Sequence, residues 1–539
     1  MSRIAYYNGT IYTADCNNPI VNAFVVDDGR FVYVGAEDGI GECEEKIDLE
    51  GRCVIPGLID SHCHMFAGVV SAASNMIFVE PDTKPSELGE KILALLEESP
   101  VADNQTIVCM GIELPMGDFC SSNIDSAFPD RPVVVFANDG HALLLNSTAM
   151  EELGINRDTP DPSKDSYYVR DDNGDPTGLV IEIPAMRPCA KLISEISMDA
   201  RSAIIKELAR AYTSLGYTGV FEASSIDSED CENLVALFDI DQEGELPLRV
   251  STSFNYGGED SIELEDFLQV MEKCRANYSS ANVLPNTLKL ISDGTVEEQS
   301  ALLFEPYCGA APEGDNKNYG SEIVKYDEMK RAAELAADRG FSVHIHAIGD
   351  KAVCRTLDIL TFLGDIKGTK TIAHNQLYRP EEIEKIIQAK DIFFQTTPHW
   401  ATGDKHTLSV LGEDRYKMQF PIASALNGGV AVTLGSDSCL EEETSDAFKG
   451  IYYACTRGGS SLIEGQSLPP KEEAISRMDA LMAYTINGAK QLSLGDETGS
   501  ITEGKSADFL IIDNDIINCS LEELWETNVL ETHFRGKQV

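Results

Sequence analysis

Two histidines one residue apart, His62 and His64, end the run Val54-Ile55-Pro56-Gly57-Leu58-Ile59-Asp60-Ser61-His62-Cys63-His64. Side chains on a strand repeat every second residue, so both imidazoles lie on one face and can grip one cation. Cys63 should face the other side. A polar strand end is the competing explanation, and the pair alone does not choose between them. Further candidate ligands stand at the ends of later apolar runs: Lys289 in Leu288-Lys289-Leu290-Ile291, His346 after Val343-His344-Ile345, His374 after Thr371-Ile372-Ala373, and Asp437 after Gly435-Ser436. Imidazole and carboxylate suit Zn, Fe, Ni or Mn. A single buried histidine is more often a satisfied core residue, but a polar end-group on each of several strands is hard to explain that way.

The elements that must position these groups are strands alternating with helices. Strand runs occur at Leu58, Thr218-Gly219-Val220-Phe221, Leu248 to Ser251, Leu288 to Ile291, Phe341 to His346, Thr371 to His374, Ile392 to Gln395 and Val430 to Asp437. Helical patterns cover Ala200 to Leu215, Tyr326 to Asp338 and Pro380 to Ala389. Eight strands predict an α/β fold, a closed (β/α)8 TIM-like barrel whose chemistry gathers at the C-terminal strand ends. Short β runs broken by Asn8-Gly9, Asp27-Asp28-Gly29 and Gly51 precede it, and similar runs follow Gly499. Neither end has enough strands to be stable alone, so 1–56 plus 495–539 should make one small β-sandwich. The barrel then takes 57–66 plus 196–494. Residues 67–195 read as an inserted α+β subdomain contributing to the substrate pocket, with a helix at Ser86 to Glu98, a buried strand at Pro132 to Phe136 and a hairpin near Asp171-Asp172-Asn173-Gly174.

Composition bounds the partners. The chain has 539 residues, 43% hydrophobic and 24% charged, the mix of a globular protein. Its formal charge of −48 and pI near 4.4 argue against nucleic acid or anionic membrane surfaces, which that field would repel. No apolar run approaches the roughly 18 residues of a membrane span, and no export signal is recognisable, so a cytoplasmic location is expected. Fourteen scattered cysteines without a Cys-x-x-Cys pair read as reduced, small apolar residues.

With these residues in view, the chain resembles the metal-dependent amidohydrolase superfamily, in its amidohydrolase family 3 branch, which includes N-substituted formamide deformylase-like enzymes. The matching stretches are Pro56 to His64, Asp139-Gly140-His141 with Asn146-Ser147, Lys289 with Asp293-Gly294, His346 to Asp350, His374-Asn375-Gln376, Gly435-Ser436-Asp437, Tyr484 to Ala489, and Gly499 through Asp508. The resemblance implies that His62 and His64 hold one divalent metal, zinc being expected, with Asp437 completing it and shuttling protons. It implies a second metal on His346 and His374, bridged by Lys289 once CO2 has carboxylated it, and places His141 over the pocket against a carbonyl or leaving group. His344 matches no family ligand. Glu222 stands where a shorter aspartate is frequent, which should alter pocket shape or hydrogen bonding.

The expected function is hydrolysis of a carbon–nitrogen bond in an amide, formamide or cyclic amide, by a metal-activated hydroxide with Asp437 as base and then acid. One or two metals per chain, a small-molecule substrate and a homodimer complete the expectation. A one-metal deaminase using the same barrel would not need Lys289, and a non-catalytic barrel is a third reading. Trp400 serves as an apolar wall or as packing, and Glu441-Glu442-Glu443 is read as a solvated turn.

Overall fold

The computed structural model describes residues 3–539 apart from 75, 103–104, 113–118, 138–139, 163–165, 193–195, 227–230, 259–261, 309–316, 390, 441–442 and 459–466. Eight strands form one parallel sheet in sequential order: β1 (Leu58–Cys63), β2 (Tyr217–Ile226), β3 (Arg249–Asn255), β4 (Val283–Ile291), β5 (Ser342–Ala347), β6 (Lys370–His374), β7 (Ile392–Thr396) and β8 (Val432–Leu434). The sheet curls until residues just past β8 meet β1. There the Asp437 N–H donates to the His62 carbonyl at 2.8 Å and the His64 N–H donates to the Ser438 carbonyl at 2.9 Å. This is the eight-stranded α/β barrel expected from the strand runs.

Alternation explains how apolar strands deliver polar groups to one place. Leu288, Leu290, Val343, Ile345, Ile372, Phe394, Val432 and Leu434 belong to the main core. The residues between them, Lys289, His344 and His346 among these, lie on the opposite face, with Lys289 paired in register to His344 and Ile291 to His346. Outer helices supply the other side of that core. The helix Tyr326–Asp338 buries Met329, Ala332, Ala333, Ala336 and Ala337, a stripe with helical period. The helix Pro380–Ala389 opens on the proline that its first turn accommodates at no hydrogen-bonding cost.

Strands from both chain ends share a separate sheet. Ile4–Tyr12, Ile20–Asp27, Arg30–Gly35, Glu45–Asp48 and Cys53–Pro56 combine with Phe509–Ile512, Val529–Phe534 and Lys537–Gln538, Pro56 pairing with Phe509. Rings of Tyr6, Phe24 and Phe509 pack its core at centroid distances of 4.9–5.0 Å. A third sheet runs Tyr167–Arg170, Pro176–Ile181, Ala142–Leu145, Val133–Ala137, Ile107–Ile112, Ile77–Phe78, with its own apolar core. Among the described residues no helix is long and apolar enough to cross a membrane.

Candidate active site at the barrel mouth

His62, His64 and Asp437 come together at the seam between β1 and β8. One ligand atom from each lies within 4.8 Å of the others. Asp437 Oδ1 is 2.7 Å from His64 Nε2 and 3.4 Å from His62 Nε2. Asp60, one pleat before His62, laces the seam: its Oδ1 accepts the N–H groups of His62 (3.1 Å) and Ser436 (3.0 Å), and its Oδ2 accepts the Ser436 hydroxyl (2.6 Å). Asp437 follows in the left-handed region at φ 53°, which aims its carboxylate back across the seam. Gly435 is what lets the strands close, because a Cβ there would stand 2.6 Å from the His62 nitrogen.

A second layer of nitrogen atoms orients His62. Its Nδ1 lies 3.0 Å from His344 Nε2, and the His344 ring stacks on Phe221 at 4.5 Å. Lys289 Nζ lies 3.2 Å from His62 Nε2. As an ammonium Lys289 only donates, an arrangement that favours a His62 proton on Nδ1 directed at His344 and leaves Nε2 toward the mouth. Burial lowers the Lys289 ammonium to about 8, and burial, followed by the charge of Lys289, holds both imidazoles well below their ordinary value. His64 is different. Burial would lower it too, but the bonded and charged Asp437 carboxylate carries it above the usual imidazole value.

His346 and His374 occupy the ends of β5 and β6 with ring centroids 4.4 Å apart. Among the described residues, His346 Nε2 and His374 Nδ1 are buried atoms without a hydrogen-bond partner, a costly arrangement in an apolar interior and an ordinary one for atoms meant to ligate. His374 Nδ1 is 3.5 Å from Asp437 Oδ2, so that carboxylate faces histidines on both sides of the mouth. Trp400, 38% exposed, stacks on His374 at 5.2 Å and 11°, which makes it a wall of the mouth.

These donors fit a divalent transition metal: imidazoles that, His64 apart, burial keeps neutral, one carboxylate, and orphaned nitrogens. Among the described residues the group of three or more close ligand atoms is His62, His64 and Asp437. His374 adjoins it through Asp437, His346 packs against His374, and Lys289 contacts His62.

His141 reaches the same mouth from the third sheet, its ring 6.3 Å from that of His346. Its Nδ1 is 3.0 Å from Glu182 Oε2. Glu222 is fully buried and accepts the Phe66 N–H at 2.7 Å, tying β2 to the helix that follows the histidine pair. Asp139, Glu441 and Glu442 lie outside the described residues, while Glu443 accepts the Tyr453 hydroxyl at 2.9 Å. Asp60 and Glu182 are the residues that strand patterning did not single out. Asp60 stands inside the matched histidine stretch, whereas no sequence signal marks Glu182.

Comparison with known proteins is consistent with this layout. Residues 45–539 match the profile described as Amidohydrolase family. The chain is 30% identical over 442 residues to the exoenzymes regulatory protein AepA of Pectobacterium carotovorum subsp. carotovorum, covering 79% of this chain and 92% of that protein. It is 24% identical over 570 residues to an N-substituted formamide deformylase of Arthrobacter pascens, covering 99% and 98%. A crystal structure of an uncharacterized metal-dependent hydrolase from Pyrococcus horikoshii OT3 shares the fold, with a TM-score of 0.73 over 97% of this chain and 99% of that one at 24% identity.

Proposed function

The chain belongs to the amidohydrolase family, and from that membership and the geometry of the mouth we propose a metal-dependent hydrolase that cleaves a carbon–nitrogen bond in a small amide, formamide or cyclic amide. The observation that carries the reading is the His62, His64 and Asp437 group at the C-terminal end of a parallel barrel. His62 and His64 with Asp437 would hold one cation, zinc being the first choice, and the orphaned nitrogens of His346 and His374 are suited to a second. A bound divalent cation would supply an acidified water and polarise the scissile carbonyl.

The chain's own residues then have distinct tasks. Asp437 faces histidines on both sides and takes the proton of the attacking water, then returns it to the departing nitrogen. His141 meets the carbonyl oxygen or the leaving group from above. Trp400 covers His374 and narrows the access of solvent. Lys289 is buried among the histidines with a lowered pKa, which favours the neutral amine that CO2 uptake requires. A carboxylated Lys289 would add a carboxylate between the two histidine pairs, and an intact mass larger by one CO2 reports it.

One observation favours the one-metal deaminase as a second reading: a single three-ligand group is present among the described residues. Metal counting separates the two. Two ions per chain with a modified Lys289 support amide hydrolysis, and one ion with unmodified Lys289 supports deamination. The direct test is a screen of N-acyl and N-formyl compounds with untagged protein before and after chelation. Hydrolysis that chelation abolishes and metal restores is expected; hydrolysis indifferent to chelation overturns the mechanism.

A further inference from the structure

Across the inserted sheet, Ala142 pairs with Ile181 in an antiparallel ladder, so His141 and Glu182 are the next opposed residues. They are tied twice. The Glu182 N–H donates to the His141 carbonyl at 2.8 Å, and Glu182 Oε2 lies 3.0 Å from His141 Nδ1. Glu182 itself is held in the left-handed region at φ 66°, with its carbonyl accepting the Ala185 N–H at 3.1 Å as a helical turn begins.

Its carboxylate is 3% exposed and pressed against the segment after β4: a Cβ on Gly294 would stand 2.8 Å from Glu182 Oε1. A buried carboxylate on a strained backbone costs stability, and the backbone bonds already secure the strand pair without it. What the carboxylate adds is control of one ring. An imidazole can flip and can carry its proton on either nitrogen, and an acceptor on Nδ1 removes both freedoms.

We propose that Glu182 is the positioning residue for His141: it fixes the ring and its Nδ1 proton, so that Nε2 is presented to the substrate beside His346. This rests on the hydrolase reading for its consequence in catalysis, but the ring state itself does not.

Two measurements test it. The first is a double-mutant cycle on an N-acyl or N-formyl substrate with Glu182→Gln, His141→Ala and the double variant, metal content measured alongside. Glu182→Gln should lower kcat/KM by about 10–100-fold with metal content unchanged, as carboxylates behind functional imidazoles do. In the His141→Ala background the same change should have no further effect, because a residue acting through another loses its influence when that residue is gone. An equal loss in both backgrounds, or no loss in either, overturns the proposal. The second measurement is the imidazole spectrum of full-length protein labelled with 15N-histidine, the His141 signal being assigned by its disappearance in His141→Ala. A proton on Nδ1 is expected, and a ring protonated on Nε2 alone overturns the proposal even if Glu182→Gln fails to fold. Absence of any hydrolysis by the wild type would count against the hydrolase reading, leaving the spectrum to decide on Glu182.

Discussion

Asp437 is the side chain that faces histidines on both sides of the mouth, with one oxygen on His62 and His64 and the other toward His374. Replacing it by Asn keeps the shape and removes the base. Turnover should fall by about 10²–10⁴-fold at saturating metal, the range for loss of a general acid–base group, with His62 and His64 still retaining the ion. Full activity in Asp437→Asn would show that the proton moves elsewhere. The histidines set a pH dependence whose sign follows from their environments. His62, His346 and His374 are pushed down by burial, so they stay unprotonated and open to a cation below the ordinary imidazole range. His64 is pushed up by Asp437, so a proton competes for it first as the pH falls. Metal content after dialysis should therefore decline from about pH 7 toward pH 5, beginning with the His64 ligand, and a flat profile would contradict this. These residues were legible because a polar group ending an apolar run stands out. Glu182 was not, since its meaning depends on a partner 41 residues away, and the role of His344 behind His62 depends on one 282 residues away.

At the scale of elements, the seam between β1 and β8 does most to shape the site. Gly435 and Asp60 hold it, and both act through the His62 backbone. Gly435→Ala forces a methyl into main-chain atoms, and an overpacked site of this kind costs about 1–3 kcal/mol. A denaturant melt should show that loss together with weaker metal binding; a melt and metal content like the wild type would mean that the seam yields without effect. The barrel strands and the helices Tyr326–Asp338 and Pro380–Ala389 were readable from period and punctuation alone. The lacing was not, because Asp60 looks like one polar residue in an apolar strand, and Ser436, which it binds, lies 376 residues further on.

For the whole molecule, the barrel and the terminal sheet are joined by a buried ion pair. Arg249 on β3 and Asp508 are both fully buried, with Nη1 to Oδ2 at 2.6 Å. Asp508→Ala would strand the guanidinium and should cost about 3–5 kcal/mol, read as a lowered denaturation midpoint, whereas replacing both partners by apolar residues of similar volume should recover much of it. The sequence showed β runs at both ends but not this pair, whose partners are 259 residues apart. The proposed chemistry depends on the histidines and Asp437 at the mouth. The most direct test is the divalent metal content per chain of purified wild type beside His62→Ala and His64→Ala. Bound metal in the wild type that falls by at least one ion per chain in both variants is the predicted result. A wild type without metal after growth and purification in its presence, or variants that retain as much as the wild type, would contradict the proposed centre.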